Sequence, residues 1–196
     1  FIKVEGMETR YLPHKQFMLV GSGSTGGDAY AWLTNVVEGW LRSLGVEVSA
    51  EQIYECMNRL AANQSVENDG LICEPLFRGT RRQPHASGSF EGILVENFTL
   101  GHVAYAVLQG IANGLHWFYQ NAGLMKPETI TRIIGSGNGL RKNPLLAQII
   151  ARTFERPVFF PDHQEEAAYG AALLAGCMTG LWPDLKSAGE GIRLYP

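Results

Sequence analysis

Residues 133–144 read Ile133-Ile134-Gly135-Ser136-Gly137-Asn138-Gly139-Leu140-Arg141-Lys142-Asn143-Pro144, and the fold follows from how this stretch is taken. Two β-branched residues run into glycines at every second position, and Asn143 before Pro144 is a favourable helix cap and first helical residue. The stretch therefore predicts a strand over 131–134, a glycine loop, and a helix over 144–154 whose first-turn N–H groups face the loop. Such a helix end attracts anions and hydrogen-bond acceptors. Gly135, Gly137 and Gly139 remove three side chains that would hold a flat ring or a phosphate off the main chain, although the same glycines also suit a turn without a ligand.

Outward from there the pattern keeps alternating, with a strand expected over 157–160 and a helix over 165–179. Strand, helix, strand, helix implies parallel pairing through crossovers, an α/β fold. Upstream, Val103, Val107, Leu108, Ile111, Leu115 and Phe118 form one stripe of a helix over 99–120, ended by Gly123. Leu33, Val36, Val37, Trp40, Leu41 and Leu44 mark a helix from Gly26 to Gly45, and Ser49 caps another running through Ile53, Met57 and Leu60. Residues 71–92, punctuated by Gly79, Pro84, Gly88 and Gly92, read as short strand, long loop, short strand. Two runs, 1–5 and 16–20, separated by a charged connection over 8–15, predict a hairpin or two neighbouring strands.

The 196 residues carry 16 Lys plus Arg against 19 Asp plus Glu, a net charge of -3, and 45% hydrophobic residues, which describes one soluble domain. A chain of this length buries roughly 70% of the surface its unfolded form exposes, so stability forces no metal or cofactor upon it. Without a run of basic residues it is not expected to bind nucleic acid. Cys56, Cys73 and Cys177 are odd in number and lack C-x-x-C spacing, against a disulfide framework or a zinc site and in favour of a reducing cytoplasm. Gln109 and Asn113 interrupt the longest apolar run, so no membrane span is expected. The start, without Met or a leader pattern, reads as a cut.

A second glycine loop, Gly21-Ser22-Gly23-Ser24-Thr25-Gly26-Gly27, follows a strand, opens a helix, and fits the dinucleotide pattern G-x-G-x-x-G. The expected acid at the end of a second parallel strand has only Glu47 as a candidate, just before the helix capped by Ser49. An NAD-binding Rossmann domain is therefore the weaker reading. No P-loop or G-x-S-x-G elbow occurs, and the five histidines show no H-E-x-x-H spacing. Two glycine loops in one domain favour a nucleotide.

Further motifs are more specific. Gly88-Ser89-Phe90-Glu91-Gly92-Ile93, eight residues, then His102-Val103-Ala104-Tyr105-Ala106-Val107-Leu108-Gln109, resembles the second signature of the FGGY carbohydrate kinases. Phe77-Arg78-Gly79-Thr80-Arg81-Arg82-Gln83-Pro84 resembles that family's glycine-arginine-proline loop, and residues 133–143 its adenosine loop. Residues 165–174 resemble its closing small-residue helix. The longer loop, together with Gly26-Gly27 before an Ala-Trp-Leu helix, is most similar to the sedoheptulokinase-like branch.

The resemblance implies an actin-like ATPase or ribonuclease-H-like fold, a mixed sheet with helices on both faces. It also implies that residues 1–196 are the single C-terminal nucleotide-binding domain of a longer protein, whose N-terminal sugar-binding domain is the missing partner. ATP and Mg2+ are the implied cofactors, and a ketose, a heptulose or pentulose, is the implied substrate. Carried over by position, Gly27 matches the helix-start glycine under the adenosine. Gly135, Ser136, Gly137 and Asn138 lie in the adenosine loop, and Asn143 matches the amide near the adenine. Ala31 stands where some members carry a polar contact. The family's catalytic aspartate would precede Phe1, so no catalytic residue is assigned here, and Asp28 reads as an acid complementing a helix dipole. A non-catalytic nucleotide-binding module would share these loops. Apolar residues in 71–92 and in the 182–196 tail leave room for a homo-oligomer.

Overall fold

A computed structural model describes residues 4–12, 15–21, 26–80, 83–122 and 132–196. Ser22 to Thr25 of the glycine loop 21–27, the helix stop at Gly123 and the strand start at Thr131 lie outside the described residues. The chain forms two compact units, Gly23–Trp117 and the combination of Phe1–Ser22 with Phe118–Pro196.

In the unit Gly23–Trp117, helices α1 (Gly26–Ser43) and α2 (Ala50–Ala61) pack together. Ser49 accepts from the Gln52 N–H while the Gln52 side chain accepts from the Ser49 N–H, the reciprocal cap that fixes where α2 begins. Tyr30 of α1 donates to Asn58 Oδ1 at 2.8 Å and meets Tyr54 edge to face, so burial pushes its phenol well above the usual range. Short strands β3 (Ile72–Glu74) and β4 (Ser89–Glu91) flank a loop, as predicted, and pair antiparallel, and in that loop Phe77 stacks on Trp32 at 3.8 Å. Burial and the neighbouring Glu74 charge raise the Cys73 thiol to about 12, which leaves it protonated and unreactive.

Helix α3 (Leu100–Asn121) contributes Ala104, Val107, Leu108 and Ile111 to the core, while the expected stripe stops short, since Leu115 is exposed. On α1 the stripe likewise ends at Val37, and Trp40 and Leu44 face solvent. Glycines let α3 approach its neighbours: a Cβ on Gly110 would strike the Cys73 carbonyl, and one on Gly101 the Leu60 carbonyl. Asn97, fully buried, ties the turn before α3 together by accepting from the Leu94 N–H and donating to the Asp69 and Gly92 carbonyls.

In the other unit a hairpin forms, with its second strand where expected and its first strand at Met7–Leu12. Strand β1 (Met7–Leu12) pairs with β2 (Gln16–Gly21), so the segment read as a connection is itself strand. Val4 is buried outside the ladder and residues 1–3 are not described. The ladder sits where β-formers alternate, with Tyr11 paired to Phe17 across the strands and their rings 5.1 Å apart.

Strand β5 (Ile133–Ile134) pairs parallel with β6 (Val158–Pro161) through the crossover of α4 (Asn138–Arg141) and α5 (Pro144–Thr153). Helix α6 (Glu166–Met178), the short α7 (Leu185–Gly189) and β7 (Leu194–Tyr195) complete it. The tail returns to the sheet, with β7 antiparallel to β6, and Trp182 covers Gly176 of α6. This three-stranded sheet is mixed, as expected, but small. Among the described residues no ladder joins it to the other two pairs. Among the described residues no helix is long and apolar enough to cross a membrane.

Candidate functional site

Parallel pairing puts the carboxyl ends of β5 and β6 at one edge, where ligands of α/β sheets bind. The glycine loop leaves β5 there. Gly135 is still bound to the sheet, its N–H donating to the Phe159 carbonyl at 2.8 Å. Its missing side chain makes room for protein: a Cβ would lie 2.7 Å from the Phe160 ring and 2.8 Å from Leu140. Gly135 thus makes room for Phe160 and Leu140 beneath the loop.

Gly137 is the opposite case. It holds φ +84° and ψ 153°, a conformation essentially restricted to glycine, and a Cβ there would meet nothing within 4 Å. Ser136, Asn138 and Gly139 are exposed beside it, so 136–139 presents bare main chain to open space. That is the geometry a flat ring requires for close approach.

Asn143 is 1% exposed and its Oδ1 accepts from the Leu146 N–H at 3.1 Å. As the sequence suggests, Asn143 caps α5 and Pro144 stands at its first helical position. Asn143→Ala should lower stability by about 1–2 kcal/mol from the lost cap. Urea unfolding checks this, and no measurable change would contradict the capping role.

Two residues that sequence reasoning did not assign complete the loop. Arg141 Nε and Nη2 donate to Glu166 Oε1 at 2.8 and 2.5 Å, and Nη2 also reaches the Pro161 and His163 carbonyls, each at 2.8 Å. The guanidinium lies 5.7 Å from the Phe160 ring centroid. Arg141 beside Glu166 holds that carboxyl below the usual carboxylate range, helped by the N–H groups of Glu166 itself and of Gly137. His163 packs on Tyr169 with ring centroids 4.0 Å apart. The only advance signal was a lone arginine in a glycine loop and an acid opening a helix of small residues.

Gly27 belongs to the other unit, exposed in the first turn of α1 with nothing within 4 Å of its Cβ position. Asp28 next to it is exposed, as a first-turn acid. Among the described residues no group of three or more His, Cys, Asp or Glu side chains is placed to hold a metal ion.

Residues 2–179 match the FGGY family of carbohydrate kinases, C-terminal domain. The chain belongs to that family. A sedoheptulokinase from Mus musculus is 32% identical over 82% of this chain and 33% of its own length. Among solved structures, a ligand-bound xylulose kinase from Lactobacillus acidophilus aligns with a TM-score of 0.78 at 23% identity, over 97% of this chain and 37% of that one. A Plasmodium falciparum glycerol kinase solved with ADP aligns with a TM-score of 0.63 at 23% identity, over 87% and 32%. The FGGY chain described here shares their fold, and it spans about one third of the length of the curated relatives it matches.

Proposed function

We propose that the chain is the ATP-binding part of a sugar kinase that moves the γ-phosphoryl of Mg-ATP to a hydroxyl of a ketose, of sedoheptulose or pentulose type. In this reading residues 1–196 are one nucleotide-binding domain of actin-like fold. The ketose and the catalytic aspartate are held by an N-terminal sugar-binding domain of the same protein. The observation that carries the proposal is the exposed loop 136–139, with Gly137 held in a glycine-only conformation, at the carboxyl edge of the parallel strands of an FGGY family domain. The sugar class is supported by the sedoheptulokinase relatives.

Ser136, Gly137 and Asn138 contact the adenosine, while Gly135 and Asn143 fix the loop from below through Phe160, Leu140 and Leu146. The assignment of Gly27 rests on the family resemblance alone. Phosphoryl transfer depends on positioning and charge neutralisation more than on covalent chemistry, so a domain that only seats the nucleotide is a complete half of the machinery. Mg2+ supplies charge neutralisation at the phosphates when the nucleotide is bound.

Titrating the chain with ADP and assaying it with ATP and a ketose tests this division of labour. Measurable ADP binding without sugar phosphorylation is the expected result. Absence of binding overturns the nucleotide assignment, and turnover by highly purified chain overturns the placement of the catalytic base elsewhere.

A further inference from the structure

Asparagine followed by glycine occurs twice in the chain, as Asn113-Gly114 and Asn138-Gly139. The pair is labile in water, because the backbone nitrogen of a glycine reaches the preceding asparagine Cγ with no Cβ in its way. How fast that happens depends on what holds the two groups apart. Asn113 lies inside α3, where the Gly114 N–H belongs to a helical ladder that continues to Asn121. Its side-chain oxygen accepts from Gln109 Nε2 at 2.9 Å, which ties it back to the preceding turn. Ile111 and Ala112 beside it are buried, so bringing the Gly114 nitrogen to the Asn113 Cγ requires opening a packed helix.

Asn138 has none of these restraints. It is the first residue of α4, a single turn whose cap, Gly137, contributes no side-chain bond. The leading N–H groups of a helix have no partner within it, and among the described residues the Gly139 nitrogen donates to no carbonyl of the main chain. Asn138 and Gly139 are both exposed, and the Asn138 side chain makes no hydrogen bond among the described residues. Nothing lies within 4 Å of the Gly139 Cβ position. Ring closure needs a non-helical ψ at Asn138, and one isolated turn opens at small cost.

We propose that Asn138-Gly139 is a deamidation site, at which the chain turns an amide of its own glycine loop into a carboxylate. Solvent base takes the Gly139 amide proton as the nitrogen bonds to the Asn138 Cγ. The Cγ–Nδ2 bond then breaks, and ammonia leaves with a proton returned by water. The product is a five-membered imide. Water adds to either of its carbonyl carbons and the ring opens, leaving an aspartate side chain at 138 or an isoaspartyl link in which the main chain runs through that side chain. Each event consumes a water, releases an ammonia, and needs no oxidant or metal. Both products alter the seat given to the nucleotide: the new carboxylate repels phosphate groups, and the isoaspartyl link lengthens the main chain of 136–139. That effect on binding rests on the nucleotide reading above, whereas the deamidation does not.

The test follows both asparagines by peptide-mapping mass spectrometry while the folded 196-residue chain is incubated at mildly alkaline pH. Asn138 should lose its amide at least about tenfold faster than Asn113, and the two rates should converge in urea, where neither pair is held in structure. Gly139→Ala, at a position with a clear Cβ site and no left-handed backbone, should slow the loss at 138 at least about tenfold and leave the rate at 113 unchanged. Chain deamidated at 138, separated from the parent by ion exchange, should bind ADP at least about fivefold more weakly in calorimetry. Equal rates at the two pairs in the folded chain overturn the deamidation site. So does an Asn138 amide that persists in the folded chain while the chain in urea loses it. Deamidated chain that binds ADP as tightly as the parent overturns the effect on the loop. A parent chain that binds no ADP overturns the nucleotide reading, and the two rates still decide the chemistry at 138.

Discussion

Replacing Gly137 with valine should abolish measurable ADP binding while leaving the chain folded. The residue sits at φ +84° and ψ 153°, where a β-branched side chain is strained by about 1–3 kcal/mol. That strain is tolerable for a domain with ordinary stability of about 5–15 kcal/mol. Because nothing lies within 4 Å of the Cβ position, the isopropyl group strikes no protein atom near its root and projects into the space the proposal gives to the adenosine. A fall in affinity of a hundredfold or more in calorimetry, with the near-ultraviolet spectrum retained, is the predicted outcome. Binding within fivefold of the parent would mean that the loop is not the seat.

The second large effect concerns the frame of the other unit. Gly110→Val should destabilise the chain by about 3 kcal/mol, because overpacking forces backbone shifts when the obstacle cannot yield. Here the obstacles are the Cys73 carbonyl of β3 and the Pro75 ring, 2.9 Å from the Cβ position, neither of which is the end of a flexible side chain. Val107, Leu108 and Ile111 on the same helix are buried, so a lifted α3 would loosen the core on both sides of Gly110. Gly114, one turn later with open space at its Cβ position, supplies the contrast: Gly114→Ala should stabilise by about 0.5–1 kcal/mol through helix propensity. Urea unfolding of both variants decides, and equal stabilities would contradict the packing described.

These two glycines also illustrate what the sequence could and could not tell. The helices were legible because local chemistry fixes them. Ser49 and Gln52 cap α2 reciprocally, Asn143-Pro144 opens α5, and the buried face of α3 repeats at helical spacing. The ends of the stripes were not, since Trp40, Leu44 and Leu115 keep the period but are exposed. The second strand of the hairpin was legible, but the first, Met7–Leu12, was read as connection, because short strands gain their stability from cross-strand partners such as Tyr11 and Phe17, which periodicity alone does not pair.

At the candidate site the glycine loop was visible, but its members were not separable. Gly135 and Gly137 are two residues apart and identical in type, yet one makes room for Phe160 and Leu140 while the other opens to solvent. Asn143 satisfied two roles in the sequence, cap and ligand contact, and its burial favours the cap. The Arg141 and Glu166 pair was invisible because its members are 25 residues apart and meet only after β6 has paired beside β5.

The account stands most directly on where an adenine nucleotide lies against this chain. A crystal structure of the chain grown with saturating ADP should place the adenosine on the main chain of Ser136, Gly137 and Asn138. ADP found elsewhere, or a loop that closes over its own side chains and leaves no room for the ring at saturation, would contradict it.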